Sequence, residues 1–212
     1  MEPTDAAELI SEIREERAEH ADQDRFRDRA AMFIAIMAML LAVGSLGGGN
    51  VAEDMIHSNI KASDTWAFFQ AKNVRQTQYR IAVEQMEAQL ASDASLSPEG
   101  RASLQGVVDR YRATIARYDD ERDPAAPGDS LRGEGKKQLS AQARRYEALR
   151  ERAGDQDTSF DYSEVAFQLA IVLGSVAILA LSRKVLYLSM GLGAVGFLLM
   201  VNGFLLLFRL PF

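Results

Sequence analysis

The chain has no cysteine and only two histidines, His20 and His57. Without thiols it forms no disulfide, holds no iron–sulfur cluster and runs no thiolate chemistry. Two distant histidines, with no HxxE or HExxH pattern around either, leave zinc without a ligand set. Tryptophan occurs once, at Trp66, so any special use of that ring is confined to one place. The most informative absence is of charge. In a chain that is 25% charged, the stretches from Ala30 to Leu46, Val165 to Leu181 and Val185 to Phe208 contain no Asp, Glu, Lys, Arg or His. Each comes close to the length that a hydrocarbon core of ~30 Å requires at about 1.5 Å per helical residue. Ionisable groups at membrane depth are the usual machinery of proton-coupled pumps and ion-motive transporters, and their absence argues against that class. The formal charge is −6, and no basic patch suits nucleic acid.

These patterns predict an all-α membrane protein with three transmembrane helices: one N-terminal span, then a C-terminal antiparallel hairpin, with an extramembrane helical or coiled-coil domain inserted between the first and second spans. The expected divisions are a charged N-terminal helix over 1–29, a first span over 30–49, a helical domain over 50–164, a second span over 165–182, a turn at 183–184 and a third span over 185–208. A turn as short as Ser182-Arg183-Lys184 joins only neighbouring, oppositely directed helices. Arg183 and Lys184 there, with Arg25, Arg27 and Arg29 before the first span, place that turn and the amino-terminal end in the cytoplasm by the positive-inside rule. Residues 50–164 and the carboxyl terminus are then extracytoplasmic. The first apolar stretch has a competing reading as a cleaved secretory signal, against which stand its length and its acidic leader of 29 residues. In the leader, Asp5 and Glu8 read as a capping pair, with Leu9, Ile10 and Ile13 as a narrow apolar face.

Gly47, Gly48 and Gly49 followed by Asn50 read as the end of the first helix. Residues 51–62 then read as a short interfacial helix, which disposes of a parity problem. Three vertical helices between residues 50 and 164 end on the wrong side of the membrane unless one lies flat or the Pro/Gly-rich stretch 120–135 serves as a passage. Trp66, Phe68 and Phe69 fall at the interface on this reading, and Lys72 and Arg75, with Lys61, reach lipid phosphates. A heptad-like seam runs through Trp66, Phe69, Asn73, Gln76, Arg80, Val83, Glu87 and Leu90. Its polar centre, Asn73, Gln76 and Arg80, either specifies register between helices or faces water while Val74 and Ile81 are buried. Ser97 and Pro98 open the next helix as N-cap and first residue, and Leu104, Val108, Tyr111, Ile115 and Tyr118 give it an unbroken 4,3 seam. A shorter helix carries Leu139, Ala143, Tyr146 and Arg150, and Asp161 with Glu164 reads as the cap that starts the second span. Within the spans, Ala166, Ala170, Gly174, Ser189, Gly193, Gly196 and Gly203 are small residues at helical spacing, which lets helix backbones pack closely within the hairpin or against another subunit. Gln168 and Asn202 read as interhelical hydrogen-bonding groups.

The charged leader running into "RAAMFIAIMAMLLAV", the stretch "ASDTWAFFQAKNVRQ" and the segment "FDYSEVAFQLAIVLGSVAILA" together resemble an uncharacterised family of bacterial three-span inner-membrane proteins catalogued as a domain of unknown function. The resemblance covers about residues 8–205, with the tryptophan-containing stretch its most specific element. It implies a bacterial inner membrane and this architecture, and it carries over no catalytic residue.

No nucleophile, acid–base pair or metal cluster stands out. Glu84 with Glu87, and Asp119, Asp120 and Glu121, read as solvated helix faces with nothing apolar around them to raise a pKa. The expected function is therefore non-enzymatic and cofactor-free: a membrane interaction or scaffold protein, self-associating or an accessory subunit of a larger complex. Its partners are membrane lipids and other membrane subunits or itself. The alternative is a homo-oligomeric pore with Ser189, Gly193 and Asn202 toward a lumen and the extramembrane domain as vestibule.

Overall fold

A computed structural model describes residues 3–129 and 131–210; the side chains of residues 3–13 and 15 lie outside the description, and with them the Asp5–Glu8 pair and the Leu9, Ile10 and Ile13 face. The elements are α1 (Pro3–Ser92), α2 (Pro98–Asp119), α3 (Lys136–Ala180) and α4 (Arg183–Leu205). Among the described residues there is no strand beyond one isolated bridge, between Arg122 and Gly133. The protein is all-α, and α1, α3 and α4 are each long and apolar enough to cross a membrane. The chain divides into two compact units, residues 1–53 with 152–212 and residues 54–151.

The first unit is three helical segments packed around small residues. Along α3 and α4, Ser159 meets Asn202, Ser163 meets Gly196 and Ala170 meets Ser189, so residue numbers rise on one helix as they fall on the other and the hairpin is antiparallel. Gly44 faces Ser163 of α3 and Met200 of α4, while Gly193 of α4 faces Phe33 and Met37 of α1. Met37, Phe160, Phe167, Ala170 and Met200 form the buried centre. Such packing is the expected means of association where lipid removes the hydrophobic drive between helices.

The expected stop at Gly47-Gly48-Gly49 does not occur: α1 runs unbroken to Ser92, and among the described residues the only glycine with positive φ is Gly133. The glycines serve close approach instead. A Cβ on Gly47 would sit 2.8 Å from the Phe160 ring and 2.9 Å from that of Phe204, and one on Gly48 would sit 3.2 Å from the Phe160 Cβ. Contact with a neighbouring helix outweighs glycine's intrinsic helix cost of roughly 1 kcal/mol per residue. The separate interfacial helix over 51–62 disappears for the same reason. Nor does α3 restart at Asp161. It is continuous from Lys136 to Ala180, because Ser159, Phe160 and Ser163 are buried against the other helices and no proline interrupts them.

In the second unit, α2 and then the first part of α3 run back along the C-terminal half of α1, one after the other. Arg112 of α2 reaches Glu87, the Ile115 carbonyl reaches Gln76 and Asp119 reaches Arg80. Lys136 at the start of α3 then reaches Asn73, Glu147 reaches Trp66 and Arg150 reaches Asn59. The return along α1 is thus made of two helices joined through the 120–135 loop. The ends are fixed locally. Ser97 accepts from the Gly100 N–H at 3.1 Å with Pro98 in the first turn, as the sequence leads one to expect. Arg101 donates to the Leu90 and Asp93 carbonyls and so satisfies the C-terminus of α1.

Candidate functional site

The second unit is organised around a buried lysine. Lys72 is 6% exposed. Its ammonium donates to the Glu121 carboxylate at 3.1 Å and to the Glu134 carbonyl, with the Glu134 carboxylate at 3.7 Å. Phe68 and Tyr118 lay their rings 5.3 and 5.5 Å from it. A buried cation is tolerated only with such compensation. This node closes the 120–135 loop, because the Glu121 carbonyl also accepts from the Glu134 and Gly135 N–H groups. Gly133 turns the chain there at φ 121°, and a Cβ on it would lie 2.1 Å from that same carbonyl oxygen.

Lys72, expected to reach lipid phosphates, is thus used inside the protein, while Phe68, 41% exposed, keeps one face against its ammonium. Trp66 donates from Nε1 to Glu147 at 2.8 Å and stacks edge-on against Phe69 at 5.4 Å, so the aromatic cluster clamps α1 to α3. Arg75 is exposed. The polar seam divides: Gln76 is fully buried, whereas Asn73 and Arg80 are exposed, as are Val74 and Ile81 at 58% and 49%. Gln76 donates to the Ile115 carbonyl at 2.8 Å, Asn73 accepts from Lys136 at 3.1 Å, and Arg80 pairs with Asp119 at 3.7 Å. Tyr79, which the sequence reading passed over, packs edge-on against Tyr111 and Tyr118. The unbroken 3,4 spacing through positions 69, 72, 76, 79, 83, 86 and 90 marks this face; Lys72 and Gln76 hide it by being polar.

Two carboxylates beside the node are acidified. The Gln76 amide, then Lys136 and Arg80, hold Asp119 below its ordinary value of 3.8, partly offset by desolvation. Gln138, then Lys137 and Arg122, hold Asp120 below 3.8 in the same way. A depressed folded pKa gives stability that is present above the unfolded value and lost as pH falls through the folded one. The second unit is therefore expected to loosen below pH 3.8, and the D119N/D120N variant to show a flatter acid profile when protease resistance of the 120–135 loop is followed against pH.

In the first unit the small residues lie together inside the bundle. The Ser189 hydroxyl donates to the Ala170 carbonyl at 2.6 Å, and a Cβ on Gly174 would stand 2.9 Å from Ile34 and 3.3 Å from the Ser189 Oγ. Gly196 receives Ala166 and Phe167, Gly193 receives Met37, and Gly203 receives Phe160. Asn202 is 1% exposed; its amide nitrogen donates to the Ser159 Oγ and the Phe208 carbonyl, and its oxygen accepts from the Phe208 N–H. Gln168 is exposed. At one end of this unit Arg183 donates to Asp22 at 2.6 Å, bringing the turn between α3 and α4 beside the arginines that precede the first apolar stretch.

The C-terminal half of α1 also carries a face that none of the described residues of the second unit covers. Ala67, Ala71, Val74, Gln78, Ile81, Gln85 and Ala88 are all exposed, follow a 4,3,4,3,4,3 spacing and include no charge.

A family model described as Domain of unknown function (DUF4337) matches residues 26–206. No curated protein matches the chain. No solved structure matches it either.

Proposed function

Because the chain belongs to this family, whose function is unassigned, we propose from its own surfaces that it is a non-enzymatic membrane protein that self-associates through the C-terminal half of α1. The observation that carries this reading is the free seam from Ala67 to Ala88. Seven successive seam positions without charge, on a helix whose neighbouring positions hold Lys72, Arg75, Arg80, Glu84 and Glu87, are what a coiled-coil contact needs. The same patch serves both partners in a two-fold dimer, so a second copy is the occupant that the seam fits without further assumption. Val74 and Ile81 supply the apolar contact, the alanines permit close approach, and Gln78 and Gln85 can pair across the axis to set register.

The membrane is the bacterial inner membrane, with the amino terminus in the cytoplasm and residues 50–164 and the carboxyl terminus outside. Arg25, Arg27 and Arg29, gathered at one end with Arg183 and Lys184, support that orientation. A pore lined by Ser189, Gly193 and Asn202 is disfavoured by their burial and by the hydrogen bonds of Ser189 and Asn202 to their own bundle.

The cysteine-free chain makes the test clean. In mild detergent, Val74→Cys is expected to oxidise to a disulfide-linked dimer, whereas Ala102→Cys, exposed on α2, remains single. Purified native assemblies are expected at a multiple of 23.4 kDa. A monomer that never crosslinks at Val74 defeats the proposal, and stoichiometric foreign subunits in place of a second copy turn the protein into an accessory component.

A further inference from the structure

A cavity of about 360 Å³ opens in the first unit where the start of the apolar part of α1 faces the start of α4. Its polar lining is Asp22, Arg25, Arg29 and Arg183; its apolar lining is Phe26, Phe33, Leu186, Tyr187 and Met190. The Arg183–Asp22 pair neutralises itself at 2.6 Å. Among the described residues Arg25 and Arg29 have no carboxylate in ion-pair range, although Asp24 and Asp28 lie beside them in sequence and Arg27 takes Asp24. The pocket therefore keeps two uncommitted guanidiniums, one helical turn apart, over an apolar floor. Solvation alone does not explain the arrangement, because a charged flank that only faces water has no reason to roof a cavity floored by two phenylalanines, a leucine and a methionine.

We propose that this cavity binds one anionic phospholipid of the leaflet at the basic end of the bundle. Guanidinium groups bind phosphate oxygens in forked, charge-assisted pairs, and two of them suit a single phosphodiester. Basic pockets between membrane helices hold anionic headgroups by this chemistry. The apolar residues then give the acyl chains a path. Phe33, Leu186 and Met190 descend from the arginines along the apolar parts of α1 and α4, and Tyr187, 68% exposed, stands at the mouth where an aromatic ring with a hydroxyl sits at the headgroup level. A free phosphate would use the arginines but not the floor; a zwitterionic lipid would use the floor but bring its own cation to the arginines. Only an anionic lipid uses both. The inference requires α1 and α4 to cross a bilayer, but not self-association.

The test is native mass spectrometry of the full-length protein in detergent, titrated with phosphatidylglycerol or with phosphatidylcholine of the same chains. The wild type is expected to retain one phosphatidylglycerol in preference to phosphatidylcholine. The Arg25→Gln/Arg29→Gln double variant is expected to bind it roughly 30-fold more weakly, taking each basic contact at its usual worth near a membrane surface. Lys184→Gln, at the same end but outside the cavity, should leave binding within about twofold. Both arginines are exposed, so the double variant should keep the helicity and melting behaviour of the wild type, which circular dichroism checks. Equal affinity for the two lipids overturns the proposal. So does a loss in Lys184→Gln as large as in the double variant, which would mean a diffuse surface charge. Displacement of the lipid by glycerol phosphate at matched concentration would reassign the cavity to a soluble phosphate and equally sink it.

Discussion

Lys72→Glu is expected to open the second unit. The new carboxylate would be buried at a position 6% exposed, facing the Glu121 carboxylate and the Glu134 carbonyl and carboxylate, with no donor to replace the lost ammonium. Removing one member of a buried pair costs about 3–5 kcal/mol, and reversing its charge adds repulsion to that. The measurable form is trypsin cleavage at Arg122, Arg132, Lys136 and Lys137, which lie in or beside the loop that the node closes. An opening penalty of that size raises the cleavage rate about 100-fold or more where cleavage follows the open population. Lys72→Met is the informative partner variant. It keeps an apolar stem against Phe68 and Tyr118 while Glu121 and Glu134, whose side chains are 32% and 69% exposed, turn to water, so its cost is near the ~1 kcal/mol of an exposed pair. Lys72→Glu as resistant to trypsin as Lys72→Met would show that the node does not hold the loop.

The contrast between these variants shows what the sequence withholds. A lysine and a glutamine in a helix look like solvent-facing residues until the positions of their partners are known, and Lys72 finds its partners 49 and 62 residues further along. The three apolar spans were legible because an absence of charge over that length needs no partner to be meaningful. So was the start of α2, since a serine followed by proline caps its own helix. Gly47, Gly48 and Gly49 were misread because glycine carries two meanings, helix stop and close approach, and a neighbouring ring chooses between them. Asp161 and Glu164 mimic a cap for a related reason: charge returning after an apolar run looks like an end, although α3 passes through it with Ser159, Phe160 and Ser163 buried. The clamp made by Trp66 was hidden because an amphipathic ring fits a membrane interface and a helix contact equally well, and its partner Glu147 lies 81 residues further along.

The same ambiguity of glycine makes Gly47→Leu the largest expected perturbation of the first unit. Phe160 is 1% exposed and its ring lies in a slot between Gly47 of α1 and Gly203 of α4; a Cβ on either glycine would stand within 2.9 Å of the ring. Ordinary overpacking costs about 1–3 kcal/mol because side chains can rotate aside. Here the ring has backbone behind it on both sides and the Phe204 ring edge-on at 4.9 Å, so relief requires the helices themselves to part, and a cost at or above the top of that range is expected. A single cysteine at Ala177, fully buried in the same unit, reports opening through its rate of alkylation as the denaturing detergent fraction rises. Gly47→Leu should move that midpoint strongly downward, and Phe160→Ala should do so by leaving a cavity, at about 3–5 kcal/mol for a fully enclosed aromatic ring. Combining the two tests the slot itself, since leucine at 47 can then occupy the space the phenylalanine vacates. The double variant should be more stable than the two losses summed, with a coupling of about 0.5–3 kcal/mol. Strict additivity would mean that Gly47 and Phe160 do not share the space between them, and the continuity of α1 through its three glycines would then need another cause.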